Sequence, residues 1–375
     1  MGMARRNYTN VHSRRRPRRG RAKPAARAAP AASVRPYNPD AFTWSKYQLT
    51  YFDHMVQARP RAVVALRARA GTGKSTTLFE AARRMLVCGR HDAVAVCAFT
   101  RKVADELGSK VAGLDLPADK TLVATGIHSL GFGWIRDYVR DSAPGRKVSV
   151  KVDKSKTWKL YQHVMSQLGY GQDDPDSPRI GRRVIDLVSK AKIALVWPDR
   201  GAETREALMD LAERYAVIGS KTDATTVSLL MEVTDQVLAA SIRACKTVDF
   251  DDMVALPYYL GLRPSKTYSA VIVDEAQDLN AAQLDVVKRA CAADGVLSYV
   301  GDDKQAIFGF AGATETFFQN LITGDATVTC SLPVTYRCGR SIVEHVRDEG
   351  LIDEDYMAAE GNTEGEVRHV DTCAA

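Results

Sequence analysis

Runs of small and β-branched apolar residues at 62–67, 93–99, 121–125, 270–274 and 296–301 predict strands, and apolar positions at helical spacing follow the first four. Helices are expected from Lys74, soon after residues 99 and 125, and from Ala281, where Leu284, Val287 and Cys291 follow helical spacing. Strands alternating with helices in this way build a parallel α/β sheet. From about residue 131 to 245 the alternation stops. Longer helical stretches joined by polar, Lys-rich connections such as 151–159 read as an inserted helical subdomain, after which the chain returns to the sheet. No repeat with a period of roughly 20 to 50 residues is visible.

A chain of 375 residues exceeds what one core commonly supports, so two domains, or one with a large insertion, are expected. The pattern sets off 1–39, 40–130 and 131–245 from the segment that follows. With 45% hydrophobic and 26% charged residues the composition is that of a folded soluble protein. No apolar run approaches the roughly 18 to 20 residues of a bilayer span, so no membrane association is expected. The seven cysteines are scattered without a C-x-x-C pair, which argues against a disulfide framework or a zinc knuckle and for a reducing compartment.

The net charge of +7 is unevenly placed. Residues 1–39 hold 11 of the 52 Lys and Arg and no acid, leaving 41 basic against 45 acidic residues in the remainder. This Arg/Ala/Pro-rich segment has almost no large apolar side chains and is expected to be a disordered basic tail. It lacks the apolar stretch of a secretory signal, and Pro17, Pro24, Pro30, Pro36 and Pro39 oppose the amphipathic helix of an organellar transit peptide. A cytoplasmic protein is expected, nucleoid-associated or viral in origin, or nuclear in a eukaryote.

The most informative segment is Ala68-Arg69-Ala70-Gly71-Thr72-Gly73-Lys74-Ser75, after a predicted strand and opening a helix. It matches G-x-x-x-x-G-K-[ST] with Ala68 in place of the first glycine. Gly71 and Gly73 let the backbone curl so that successive N–H groups point at one centre, the helix N-terminus adds positive potential, Lys74 reaches terminal phosphates, and Ser75 can ligate Mg²⁺. A second carboxylate is needed at the end of a neighbouring strand. Asp274, closing the apolar run at 270–274, would hold Mg²⁺ through water, and Glu275 would activate an attacking water.

With these residues in place the chain resembles superfamily 1 DNA helicases of the UvrD/Rep/PcrA type, over about residues 42–370. That resemblance implies a RecA-like motor domain in 40–130 and 246–325, interrupted by the insertion at 131–245. Tyr47-Gln48-Leu49 is similar to the family's Q motif, in which Gln48 would read the adenine edge. Ala70 to Thr76 would complete the ATP site with Tyr336 stacking on adenine. Phe99-Thr100 and Gly126-Ile127-His128-Ser129 resemble segments that line the single-strand track, with Phe99 stacking and Thr100 and His128 contacting phosphate or sugar. Taken alone, Phe99 reads equally as core packing and His128 as a loop histidine. Asp249-Phe250-Asp251-Asp252-Met253 resembles the signature at which the family chain re-enters the sheet; its physical role is not readable from sequence. In the stretch from Val300 to Gly312, Gln305 would sense the γ-phosphate while Phe308 and Phe310 stack on bases. Thr335-Tyr336-Arg337 resembles the start of the second motor domain, with Arg337 reaching the γ-phosphate across the cleft. The chain departs from the family at Thr76 and Ala311, each where an Arg is frequent.

The resemblance implies ATP and Mg²⁺ as cofactors, single-stranded DNA or a duplex with a single-stranded end as partner, 3′ to 5′ movement, and a setting in DNA repair or replication. Only 38 residues follow Arg337, enough for a helix but not for a RecA-like domain. The segment 326–375 is therefore expected to be the start of a truncated second motor domain. A second polypeptide completing the motor, a truncated or split gene product, and an ATP-responsive DNA-binding module all remain open. The rival from another class is a non-enzymatic single-stranded nucleic-acid-binding protein with a vestigial ATP site. Intact Lys74, Asp274, Glu275 and Gln305 count against it, and a P-loop kinase or GTPase leaves the segment after Asp274 unexplained.

Overall fold

The computed structural model describes residues 42–98, 116–170, 177–305, 317–326, 328–353 and 355–368, with Asp105, Gly108, Ser109, Val111 and Leu114. The basic segment 1–39 and the candidate strand-contacting residues Phe99, Thr100, Phe308 and Phe310 lie outside the described residues, as does Ala311. Single-turn helices aside, the described elements run α1 (Lys46–Gln57), β1 (Val63–Ala68), α2 (Lys74–Val87), β2 (Ala93–Ala98), β3 (Thr121–Gly126), α3 (Ile127–Asp141), β4 (Lys151–Val152), α4 (Lys156–Gln167), α5 (Ser177–Ala194) and α6 (Ala202–Arg214). They continue as α7 (Ala224–Arg243), β5 (Thr247–Val248), α8 (Asp252–Tyr259), β6 (Tyr268–Val273), α9 (Ala281–Ala290), β7 (Cys291–Gly301), β8 (Val328–Leu332), β9 (Val334–Thr335), α10 (Arg340–Asp348) and β10 (Met357–Ala358).

Six strands form one sheet in the order β3-β2-β6-β7-β1-β8, and every neighbouring pair is parallel. This is the α/β fold expected of a RecA-like domain. Because side chains alternate across a strand, the sheet feeds two cores. Val94, Val96, Ala98, Ala270 and Ile272 pack with Tyr51, Phe52 and Met55 of α1 and Leu78, Ala82 and Met85 of α2. Ala95, Cys97, Val271, Val273 and Tyr299 face the other way, against Trp134 and Ile135 of α3, Val254 of α8 and Val286 of α9. Helix α3 runs through residue 131 as one element on that face, and β8 adds to the sheet from beyond residue 325. The helical spacing of Cys291 does not carry α9 that far: the residue is extended and pairs with Tyr268, so bridging to the sheet overrides the local pattern.

Helices α4 to α7 share a third core that includes Tyr161, Leu187, Leu208, Leu230 and Val237. Their junction with the sheet domain is electrostatic as well as apolar, and it gives the Asp249–Asp252 segment its role. Lys156 Nζ sits 2.7 Å from Asp252 Oδ2, while Lys192 Nζ sits 2.7 Å from Asp249 Oδ2 and 2.8 Å from Asp252 Oδ1. Lys156 also donates to the Ser241 carbonyl at 2.7 Å, and Thr157 Oγ1 donates to Asp249 at 2.8 Å. Both lysines and Asp252 are buried, so each charge depends on the others for compensation. Among the described residues no helix is long and apolar enough to cross a membrane.

Candidate functional site

In a parallel sheet all strands end at one edge, so the loops after β1, β6 and β7 meet there. The loop after β1 carries residues 69–73, β6 ends at Val273 just before Asp274 and Glu275, and β7 leads into Asp302, Asp303 and Gln305. One strand, β7, lies between β1 and β6, so the acids after β6 stand two strands from the glycine loop, not directly beside it. With strands about 4.8 Å apart, a long side chain is needed to bridge that gap. Lys74 does so: its Nζ lies 2.6 Å from Glu275 Oε2 and 3.9 Å from Asp274 Oδ1.

The loop turns through two left-handed glycines, Gly71 at φ 72° and Gly73 at φ 76°, and Gly73 is the N-cap of α2. Thr72 closes the turn, its N–H and Oγ1 donating to the Arg69 carbonyl at 3.3 and 2.8 Å. The segment 335–337 lies directly on the loop. Tyr336 N–H donates to the Gly71 carbonyl at 2.8 Å, and a Cβ on Gly71 would stand 2.5 Å from Arg337 Cβ. Residues 69–76, Glu275, Gln305, Tyr336 and Arg337 together line a cleft of about 580 Å³. Eleven of the predicted site residues thus converge on one space: Ala70, Gly71, Thr72, Gly73, Lys74, Ser75, Thr76, Glu275, Gln305, Tyr336 and Arg337. Half of the Tyr336 surface is open.

The remaining candidates are placed differently. Asp274 is buried at the floor behind Lys74, and burial pushes its carboxyl up to about 6, with Lys74 opposing the shift. Asp278 is raised to about 6 for the same reason, and its Oδ1 has no hydrogen-bond partner. Gln48 is buried in α1; its Oε1 accepts from the Ser45 N–H in a capping box and its Nε2 donates to Thr77 Oγ1 at 2.8 Å. It stands behind the loop and not among the cleft-lining residues. His128 opens α3, half-buried, and burial lowers its pKa.

The donor set fits a polyphosphate with a divalent cation. The open N-terminus of α2, Lys74 and Arg337 supply positive potential where a phosphate chain would lie. No cluster of three metal-ligating side chains exists among the described residues. A hard cation here would therefore take Ser75, Asp274 and phosphate or water oxygens, the usual habit of Mg²⁺. The elevated pKa of Asp274 marks a carboxylate that a nearby cation would stabilise.

Sequence reasoning missed a polar belt around the cleft. Gln277 Nε2 donates to Glu275 Oε2 at 2.9 Å, and Gln277 Oε1 accepts from Asp302 N–H at 3.1 Å. Arg69 faces Asp302, Asp303 and Asp353, and Tyr356 OH donates to the Ala70 carbonyl at 2.9 Å. The one local hint was a cation inside the glycine loop; its partners lie 233, 234 and 284 residues away in sequence.

Comparison with known proteins shows the family. The model of the UvrD/REP helicase N-terminal domain family matches residues 53–324. ATP-dependent DNA helicase Rep of Escherichia coli K12 is 27% identical over 271 residues, covering 68% of this chain and 35% of that helicase. ATP-dependent DNA helicase UvrD2 of Mycobacterium bovis is 25% identical over 277 residues, covering 69% of this chain and 37% of its own length. RecBCD enzyme subunit RecB of Mycobacterium tuberculosis is 37% identical over 86 residues, 23% of this chain and 8% of RecB. The chain thus spans about a third of the length of the Rep and UvrD2 relatives it matches.

Proposed function

Given that this chain belongs to the UvrD/REP helicase N-terminal domain family, we propose that it binds and hydrolyses ATP and couples hydrolysis to movement on single-stranded DNA, in the 3′ to 5′ direction. The observation that carries the reading is the convergence of Lys74, Glu275, Gln305, Tyr336 and Arg337 on one cleft, from loops far apart in sequence. In this reading the triphosphate lies along residues 70–76, and Tyr336 stacks on the adenine. Bound Mg²⁺, held by Ser75 and Asp274, would neutralise charge on the β- and γ-phosphates.

The Lys74–Glu275 ion pair suggests how the site is armed. A triphosphate draws the Lys74 ammonium away, since phosphate oxygens outcompete a single carboxylate. Glu275 is then left with Gln277 as a hydrogen-bond partner and is free to accept a proton from the attacking water. Arg337 and Lys74 offset the charge that develops on the transferred group. Gln305 reports whether the γ-phosphate is present. Phe99, Thr100, His128, Phe308 and Phe310 are the proposed strand contacts, and Gln48 the proposed adenine reader once its bond to Thr77 is exchanged. Stepping along a strand also needs a second domain that closes across the same cleft. A partner polypeptide is part of the proposal, supported by the likeness to RecB, by name a subunit of a larger enzyme.

The test measures ATP turnover by the full chain with and without single-stranded DNA, for wild type and Lys74→Ala. Turnover that rises with DNA and disappears in Lys74→Ala is the expected result. ATP and DNA binding without turnover would favour an ATP-responsive binding module, and absence of ATP binding would refute the reading.

A further inference from the structure

Arg69 occupies a position where a loop built to approach phosphates needs little side chain, yet its guanidinium is only 3% exposed and meets three carboxylates. Nη1 lies 2.5 Å from Asp302 Oδ1 and 2.8 Å from Asp303 Oδ1, Nε lies 2.8 Å from Asp353 Oδ2, and Nη2 also reaches Asp353. Only a planar fork with several fixed donors can serve partners in these different directions; a lysine offers one point charge. Asp302 is the partner that matters for the cleft. It is 1% exposed, so its charge relies on Arg69. Its second oxygen, Oδ2, accepts from Gln305 Nε2 at 2.5 Å, and its Oδ1 also accepts from Lys304 N–H at 3.1 Å. The Asp302 N–H is held by Gln277, which in turn holds Glu275.

We propose that Arg69 is a positioning residue for Gln305: through Asp302 it fixes the side chain that faces the terminal phosphate, and through Asp353 it ties that setting to the segment following Arg337. The proposal rests on the reading of the cleft as an ATP site. With lysine at 69, one point charge replaces the fork that serves three carboxylates in different directions, so Asp302 loses its fixed partner geometry and can turn. That turn releases the Gln305 amide. The phosphate loop itself would keep its turn, since Thr72 closes it through the Arg69 backbone carbonyl, which any side chain at 69 retains. Asp303 and Asp353, both partly open to solvent, can be rehydrated, so Asp302 bears the loss.

The test uses the full chain as Arg69→Lys, Gln305→Ala and the double variant. Affinities for ATP and ADP are measured by competition against a fluorescent nucleotide, and amide exchange at residues 302–305 is followed without nucleotide. We expect Arg69→Lys to bind ADP as wild type does but to lose about tenfold in preference for ATP over ADP, the size of one charge-assisted hydrogen bond. Gln305→Ala should lose as much, and the double variant no more than either, because both act through one contact. Exchange of the Lys304 and Gln305 amides, which donate to Asp302, should quicken while that of β1 does not. Unchanged preference with a lowered melting point would make Arg69 a structural staple and overturn the proposal, as would additive losses in the double variant. If wild type shows no preference for ATP, the ATP reading fails first, and the exchange measurement alone then decides whether Arg69 holds the Gln305 segment.

Discussion

The close seating of residues 335–337 on the phosphate loop makes Gly71 and Gly73 an internal comparison. Both have left-handed backbones, at φ 72° and 76°, so an alanine at either position costs about 1–2 kcal/mol in backbone energy. Their surroundings differ. A Cβ on Gly71 would stand 2.5 Å from Arg337 Cβ and 2.6 Å from Thr335 Oγ1, whereas one on Gly73 meets nothing closer than Gln48 Nε2 at 3.7 Å. Overpacking of the first kind adds about 1–3 kcal/mol. Gly71→Ala should therefore destabilise by about 2–5 kcal/mol and Gly73→Ala by about 1–2 kcal/mol. If the segment lifts instead of straining, the Tyr336 to Gly71 hydrogen bond, worth about 0.5–1.5 kcal/mol, is lost in its place, and residues 333–340 open to proteases. Urea unfolding followed by circular dichroism, with limited proteolysis of the same samples, reads both outcomes. Gly71→Ala matching Gly73→Ala in stability and in cleavage pattern would mean that the seating is absent in solution.

Three further outcomes are expected. Asp249→Asn should cost about 3–5 kcal/mol at neutral pH, since it leaves two buried lysines, Lys156 and Lys192, sharing the single charge of Asp252. Against its burial, Lys192 holds the Asp249 carboxyl below the ordinary 3.8, so this stabilisation is present above that value and lost as pH falls through the lower folded-state pKa. In urea unfolding across acidic pH, the gap between wild type and variant should close only below about pH 4, and a gap that closes near neutrality would contradict the pairing. Tyr336→Ala, at a half-open ring, should weaken ATP binding about threefold to tenfold in competition assays while leaving tripolyphosphate binding unchanged; equal loss for both ligands would rule out stacking on the base. Deleting residues 1–39, with their 11 basic residues, should weaken DNA binding and flatten its salt dependence without altering ATP affinity. An unchanged salt slope would assign the segment another role.

Most of the cleft was legible from contiguous residues. The loop at 68–75, the acids at 274–275 and the segment at 335–337 each carry their chemistry within a few positions, because strand ends, glycine turns and helix N-termini are local structures. The strand at 93–98 was equally plain, since a strand buried on both faces leaves an uninterrupted apolar run. The end of α9 was not, because Cys291 answers to Tyr268 in the next strand and not to its own helical spacing.

What the sequence by itself determined, then, is the α/β class and which residues are the candidates for handling a phosphate chain. The tertiary structure decided how those residues meet. Strand order put β7 between the glycine loop and Asp274, leaving Lys74 to span the gap. Topology also brought Arg69 to Asp302 and Asp353, and Lys156 and Lys192 to Asp249 and Asp252, turning isolated charges into the joints of the cleft and of the helical insertion. A buried charge requires a counter-charge but does not specify where in the chain it comes from, so these pairs become visible only when the fold brings distant segments together.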